Sequence, residues 1–253
     1  AREYLEGPVF TLFVDTLFDG ADFSSLGLAS AQGRNDDLDG IVFTKEEDDP
    51  RRFGVVETNA EGYATRLIEK PESVENKTVM IGLYYFRDGA WLARACEALM
   101  ERNIQTKGEY YLSDTVTLMI QQGAKFITHE VDVWQDTGKP DTTLETHRYI
   151  LEHGGFGGQG YDNSLEASRP AVAIIPPVYV HPEATVERSV IGPYVSIHKD
   201  AQVRDSIVRN AVVDEGSKIE AALLEDSIVG RWVEVRGHFR RLNIGDSSVD
   251  DLS

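Results

Sequence analysis

The chain has 253 residues, 41% of them hydrophobic, enough for one large domain or two modest ones with real cores. Lys and Arg number 25 against 43 Asp and Glu, a net charge of −18, which excludes a sequence-independent nucleic-acid binder. No apolar run is long enough to span a bilayer, Ala1–Glu6 lacks the order of a signal peptide, and the single Cys96 excludes an internal disulfide framework and suits the cytoplasm.

Val9–Val14 is a nearly continuous apolar run of β-formers and predicts a buried parallel strand. Asp15 follows it, where ligands collect in open α/β sheets, although capping of the turn toward Asp19 and Gly20 explains the residue equally well. Phe53–Glu57 and Ala64–Glu69 predict two strands about a turn-rich joint at Asn59–Gly62. Glu69, Lys70 and Pro71 then supply an acceptor, a positive charge and a rigid stop. A lysine there can pair with a phosphate and a glutamate can hold sugar hydroxyls, but a surface Glu-Lys before a proline turn is also commonplace. Val79–Phe86 predicts another strand, closed by Asp88 and Gly89.

Helical signals follow. Ala90–Glu101 places Leu92, Cys96 and Leu99 on one face, which makes Cys96 a core residue. Ser113 is the expected N-cap of a helix over 114–122, with Gly123 at its stop. Pro140 opens a further helix that Gly154 ends. Asp136 lies between the strand-like Ile127–Val133 and that helix, so by position alone it reads as a helix-entry acid. Alternation of β and α elements predicts a layered, mainly parallel α/β domain. Two isolated acids at two strand ends, Asp15 and Asp136, would suffice for magnesium, which takes one or two carboxylates and completes its shell with water and phosphate oxygens.

Gly155, Gly157 and Gly160 spell a G-x-G-x-x-G pattern, but a helix precedes it and no helical signal follows, so 154–170 reads as a linker and not a dinucleotide loop. From Ala171 the chain becomes dense in Val and Ile with no helical period. Similar segments begin at Val186, Val203 and Ile219, spaced by 17 and then 16 residues, close to three hexads. Val180 to Val186, and Ile191 to Ile197 to Val203, step by six. Hexad aliphatic repeats predict a parallel β-helix over 171–253, of about four coils.

Taken in order, Phe53–Val56, Ile68–Pro71, Ile81–Tyr84, Gly108–Asp114 and Trp134–Gly138 resemble the sugar-1-phosphate nucleotidyltransferase family, nearest to glucose-1-phosphate thymidylyltransferases with a hexapeptide-repeat tail. The resemblance implies a Rossmann-like nucleotidyltransferase domain over 1–153, N-terminally incomplete, followed by a left-handed β-helix. It implies transfer of a nucleotidyl group from a nucleoside triphosphate to a sugar 1-phosphate, with Mg²⁺ held by Asp15 and Asp136. Lys70 would anchor the sugar phosphate, Glu69 the sugar, and the backbone at Gly54 would approach it closely. Glu109 and Asp114 are left as site-wall or helix-start residues. The family's glycine-rich opening loop, which holds the triphosphate, has no counterpart here, so the chain is expected to be a fragment of a longer protein. No nucleic-acid or membrane partner is expected; a homo-oligomer is.

Two competing readings exist. A hexapeptide-repeat acyltransferase using coenzyme A needs a histidine base, for which His181, His198 and His238 are candidates by residue type. A non-catalytic subunit, whose β-helix mediates assembly, gains weight from the missing loop.

Overall fold

The computed structural model describes residues 4–20, 37–154 and 171–237. The predicted linker beyond Gly154, His238 and the repeats expected after residue 237 lie outside them. The chain divides into two compact units, 1–137 and 138–253.

The first unit opens with β1 (Val9–Leu12), β2 (Thr16–Asp19) and β3 (Gly40–Glu46). A 3-10 turn at Pro50–Arg52 leads into the hairpin of β4 (Gly54–Thr58) and β5 (Ala64–Glu69), and β6 (Thr78–Phe86) follows. Then come α1 (Gly89–Glu101), α2 (Leu112–Gln121), β7 (Phe126–Glu130) and β8 (Val133–Asp136). The main sheet runs β5-β4-β6-β3-β7, with β1 also on β6; β2 and β8 form a separate ribbon.

The centre of the sheet is β6, where eight of nine residues are buried, as a strand covered on both faces requires. Its alternation divides two cores. Met80, Tyr84 and Phe86 face Leu92 and Ala95 of α1 and Val116 and Met119 of α2. Ile81, Leu83 and Tyr85 face the other way, against Val131, Phe18 and Trp134 of the ribbon side. The half-buried Cys96 packs against the first of these clusters.

The layered α/β class holds, but the expected parallel sheet does not. Among the described pairs of this sheet only β3–β7 is parallel. The reason is connectivity: β4, β5 and β6 follow one another with no crossover helix between them, and both helices come together after β6. The expected buried parallel strand at Val9–Val14 is likewise corrected. β1 pairs antiparallel with β6, and Phe10 and Leu12 on its outward face are 48% and 53% exposed. An apolar run marks strand-forming residues, and here only alternate side chains meet a core.

The second unit begins with α3 (Pro140–His153), ended by Gly154 in the left-handed conformation at φ 75°. Beyond it, twelve strands of two or three residues stack into three four-stranded parallel sheets, a β-solenoid of about four turns. Val186, Val203, Ile219 and Val235 lie in register on successive turns, the spacing predicted from the repeats. Corners repeat too: Arg188, Asp205 and Ala221 share left-handed φ of 45–53°, and Tyr194, Asn210 and Asp226 of 40–59°. One sheet is covered by α3, where His147 Nε2 lies 2.7 Å from Ser196 Oγ and Arg148 Nε donates to Asn210 Oδ1 at 2.7 Å.

Candidate active site

The ribbon of β2 and β8 brings the two expected metal acids together. Asp15 immediately precedes β2, Asp136 ends β8, and the antiparallel register sets Thr16 opposite Asp136. Four hydrogen bonds of ordinary length fix this corner. The Phe13 amide donates to Gly82 O at 3.0 Å and Thr16 Oγ1 to Ile81 O at 2.9 Å. Thr137 donates twice to the Asp15 carbonyl, from its amide at 2.9 Å and from Oγ1 at 3.0 Å. Asp15 and Asp136 border one cavity of about 140 Å³, shared with Gly54 and Glu69. Asp136 is therefore a strand-end acid; the residue at the entry of α3 is Lys139.

Gly54 is needed for space. A Cβ there would lie 1.9 Å from Met80 Cε and 2.8 Å from Glu69 Oε2, so the bare backbone lets the Glu69 carboxyl lie over it. Burial pushes the Glu69 carboxyl above the usual range, opposed by a hydrogen bond from Ser113 and by the Lys70 charge. That bond runs from Ser113 Oγ to Glu69 Oε2 at 3.2 Å. Ser113 is thus not the expected cap: α2 starts at Leu112, Tyr111 is its cap residue, and Ser113 is 3% exposed. A serine near a helix start gives the same sequence signal whether its hydroxyl serves the backbone or a buried acceptor.

Lys70 is not among the residues bordering this cavity. It follows β5 in the left-handed region at φ 48°, and its Nζ donates to Tyr111 Oη at 3.3 Å while lying 5.4 Å from the centre of that ring. Tyr111 donates in turn to Glu109 Oε2 at 2.5 Å. Asp114 lies in the first turn of α2 and borders a second cavity of about 360 Å³ beside β5, which Glu69 also touches. Tyr84, the last residue of the Ile81–Tyr84 segment, also borders the first cavity, as does Arg52, to which nothing in the sequence points. Arg52 follows another arginine in a turn, and no spacing distinguishes the two.

The described histidines of the solenoid have local partners. His181 Nδ1 accepts from the Glu183 amide at 3.1 Å, and His198 Nδ1 lies 3.7 Å from Asp214 Oδ1. Among the described residues no group of three or more His, Cys, Asp or Glu could hold a metal, and no helix is long and apolar enough to cross a membrane.

The family model described as Nucleotidyl transferase matches residues 5–153. The low-salt glycan biosynthesis nucleotidyltransferase of Haloferax volcanii is 24% identical over 82% of this chain and 62% of its own length. The glucose-1-phosphate thymidylyltransferase of Streptomyces griseus is 28% identical over 81% and 61%, respectively. The UTP–glucose-1-phosphate uridylyltransferase of Haloferax volcanii is 28% identical over 60% of each chain. The chain thus spans about three-fifths of the length of these curated relatives. With more than half its residues matched by that family model, the chain belongs to the nucleotidyl transferase family.

Proposed function

We propose that the whole protein transfers a nucleotidyl group from a nucleoside triphosphate to a sugar 1-phosphate. An oxygen of the sugar phosphate attacks the α-phosphorus, a new P–O bond forms, and the bond to the departing pyrophosphate breaks. The observation that carries this reading is the meeting of Asp15 and Asp136 on one cavity with Gly54 and Glu69. The relatives' names support the reaction class and differ in the base they give, thymidylyl and uridylyl, so base and sugar are left open.

A two-carboxylate donor set fits Mg²⁺, which typically keeps several waters and takes substrate phosphate oxygens as further ligands. Asp15 and Asp136 would hold it. Bound there, the ion would offset negative charge on the transferring and leaving phosphates. The remaining work belongs to positioning. Glu69 accepts from sugar hydroxyls, the open backbone at Gly54 lets the sugar approach, and Lys70 anchors phosphate from the rim. No side-chain nucleophile is required. The same reading sets the protein in the cytoplasm as a homo-oligomer.

The test is Asp136→Asn in the full-length protein, followed by pyrophosphate release. Turnover should fall by about 100-fold or more, equivalent to the loss of a few kcal/mol of transition-state stabilisation, with the thermal midpoint unchanged. Turnover equal to that of the parent would remove the metal role from Asp136.

A further inference from the structure

The cavity at the end of the β2–β8 ribbon gathers three carboxylates, from Asp15, Glu69 and Asp136. A sugar 1-phosphate is itself an anion, so a cationic side chain facing that space, beside the divalent ion proposed above, favours its binding. The nearby basic side chains differ in how firmly they are engaged. Arg51 is held twice by Asp49, Nε to Oδ1 and Nη2 to Oδ2, each at 2.7 Å. Lys70 rests on Tyr111. Lys107 Nζ donates to the Lys70 carbonyl at 3.1 Å.

Arg52 is different. Among the described residues it is the one basic side chain bordering the cavity. Its Nη2 lies 3.9 Å from Asp136 Oδ2, too long for a hydrogen bond, with the side chain half exposed. The 3-10 turn explains the contrast with its neighbour. Asp49 accepts from the Arg51 amide, Pro50 is buried at the first position, and the chain then extends into β4. The guanidinium lies 5.5 Å from the centre of the Phe53 ring, and that ring meets Trp134 edge-on at 4.9 Å. An exposed ion pair at such a distance contributes little, so it is easily exchanged. A guanidinium presents a planar fork matched to phosphate oxygens.

We propose that Arg52 contacts the phosphate of the sugar 1-phosphate, leaving its loose contact with Asp136 when the anion binds. This assignment rests on the nucleotidyltransferase reading and adds a residue to it. In it Arg52 is the cation on the cavity wall, and Lys70, off that wall, has the lesser part.

Calorimetric titration of the full-length protein with glucose, mannose and galactose 1-phosphates, the free sugars and inorganic phosphate tests it. Arg52→Gln should weaken the preferred sugar phosphate by about 10- to 100-fold, and Arg52→Lys, which keeps the charge but loses the fork, by about tenfold. Affinity for the free sugar and the thermal midpoint should stay at the parent values, and Lys70→Gln should lose less than Arg52→Gln. If Arg52→Gln binds as the parent does while Lys70→Gln fails, Arg52 is not the anchor, yet the nucleotidyltransferase reading stands. Equal weakening toward sugar and sugar phosphate would make Arg52 structural and overturn the proposal. If the full-length parent protein binds no sugar phosphate, the underlying reading falls, and the assignment with it.

Discussion

At the scale of single residues, the cavity depends on an absence. Gly54 opposes Glu69 across the β4–β5 ladder, and the space its missing side chain leaves holds the Glu69 carboxyl and the Met80 methyl. A methyl group at this position cannot be accommodated by one yielding side chain, because two atoms from different strands converge on the same point. Both atoms end flexible side chains, so Gly54→Ala should destabilise the first unit by no more than about 1 kcal/mol and act chiefly by displacing the Glu69 carboxyl. Denaturant unfolding measures the first effect and titration with sugar phosphate the second. Stability and affinity both equal to the parent would mean that the site relaxes freely. Glycine is legible in sequence as a residue, but its reason here is not, since the partners Met80 and Glu69 come from two other strands. Ser113 shows the same limit from the other side: its identity suggested a cap, and only the buried Glu69 carboxyl shows where its hydroxyl goes.

At the scale of elements, what could be read in advance was whatever a local pattern specifies. The β4–β5 hairpin follows from Asn59–Gly62, where Asn59 Oδ1 accepts from the Glu61 and Tyr63 amides. The solenoid follows from a spacing that puts Val186, Val203 and Ile219 on one inward column. Strand direction and the burial of β1 were not legible, because they depend on which strand each one finds. The packing of α3 on the solenoid was equally hidden, and it carries a titratable group. His147 lies on the covered face, and burial pushes its imidazole down to about 4, so it is neutral in the folded protein. In the unfolded chain it titrates near the ordinary value of about 6.5. The folded state thus binds fewer protons between these values. Stability is fully present above about 6.5 and is lost as pH falls toward 4. His147→Asn should flatten this part of the profile between pH 7.5 and 5 in thermal melts of the second unit. A variant that loses stability on acidification as steeply as the parent would show that another group is responsible.

At the scale of the whole chain, the apolar clusters divide as the units do. Leu92, Val116 and Met119 belong with the main sheet, whereas Ile197, Val203 and Ile219 belong with the solenoid. A core that shares no member with another need not melt with it, and solenoid stability is set largely between neighbouring turns. Two substitutions separate the cases. Val116→Ala empties space between α2 and the sheet at a residue with no exposure, and Ile219→Ala does the same inside the solenoid at 1% exposure. Each should cost about 1–5 kcal/mol in its own unit, or about 3–5 °C of midpoint per kcal/mol for units of this size. Scanning calorimetry of the parent should then show two transitions. Val116→Ala should lower only one of them and Ile219→Ala only the other. A single transition lowered by both variants would mean that the units melt together, and that the cost of any substitution at the candidate site is borne by the whole chain.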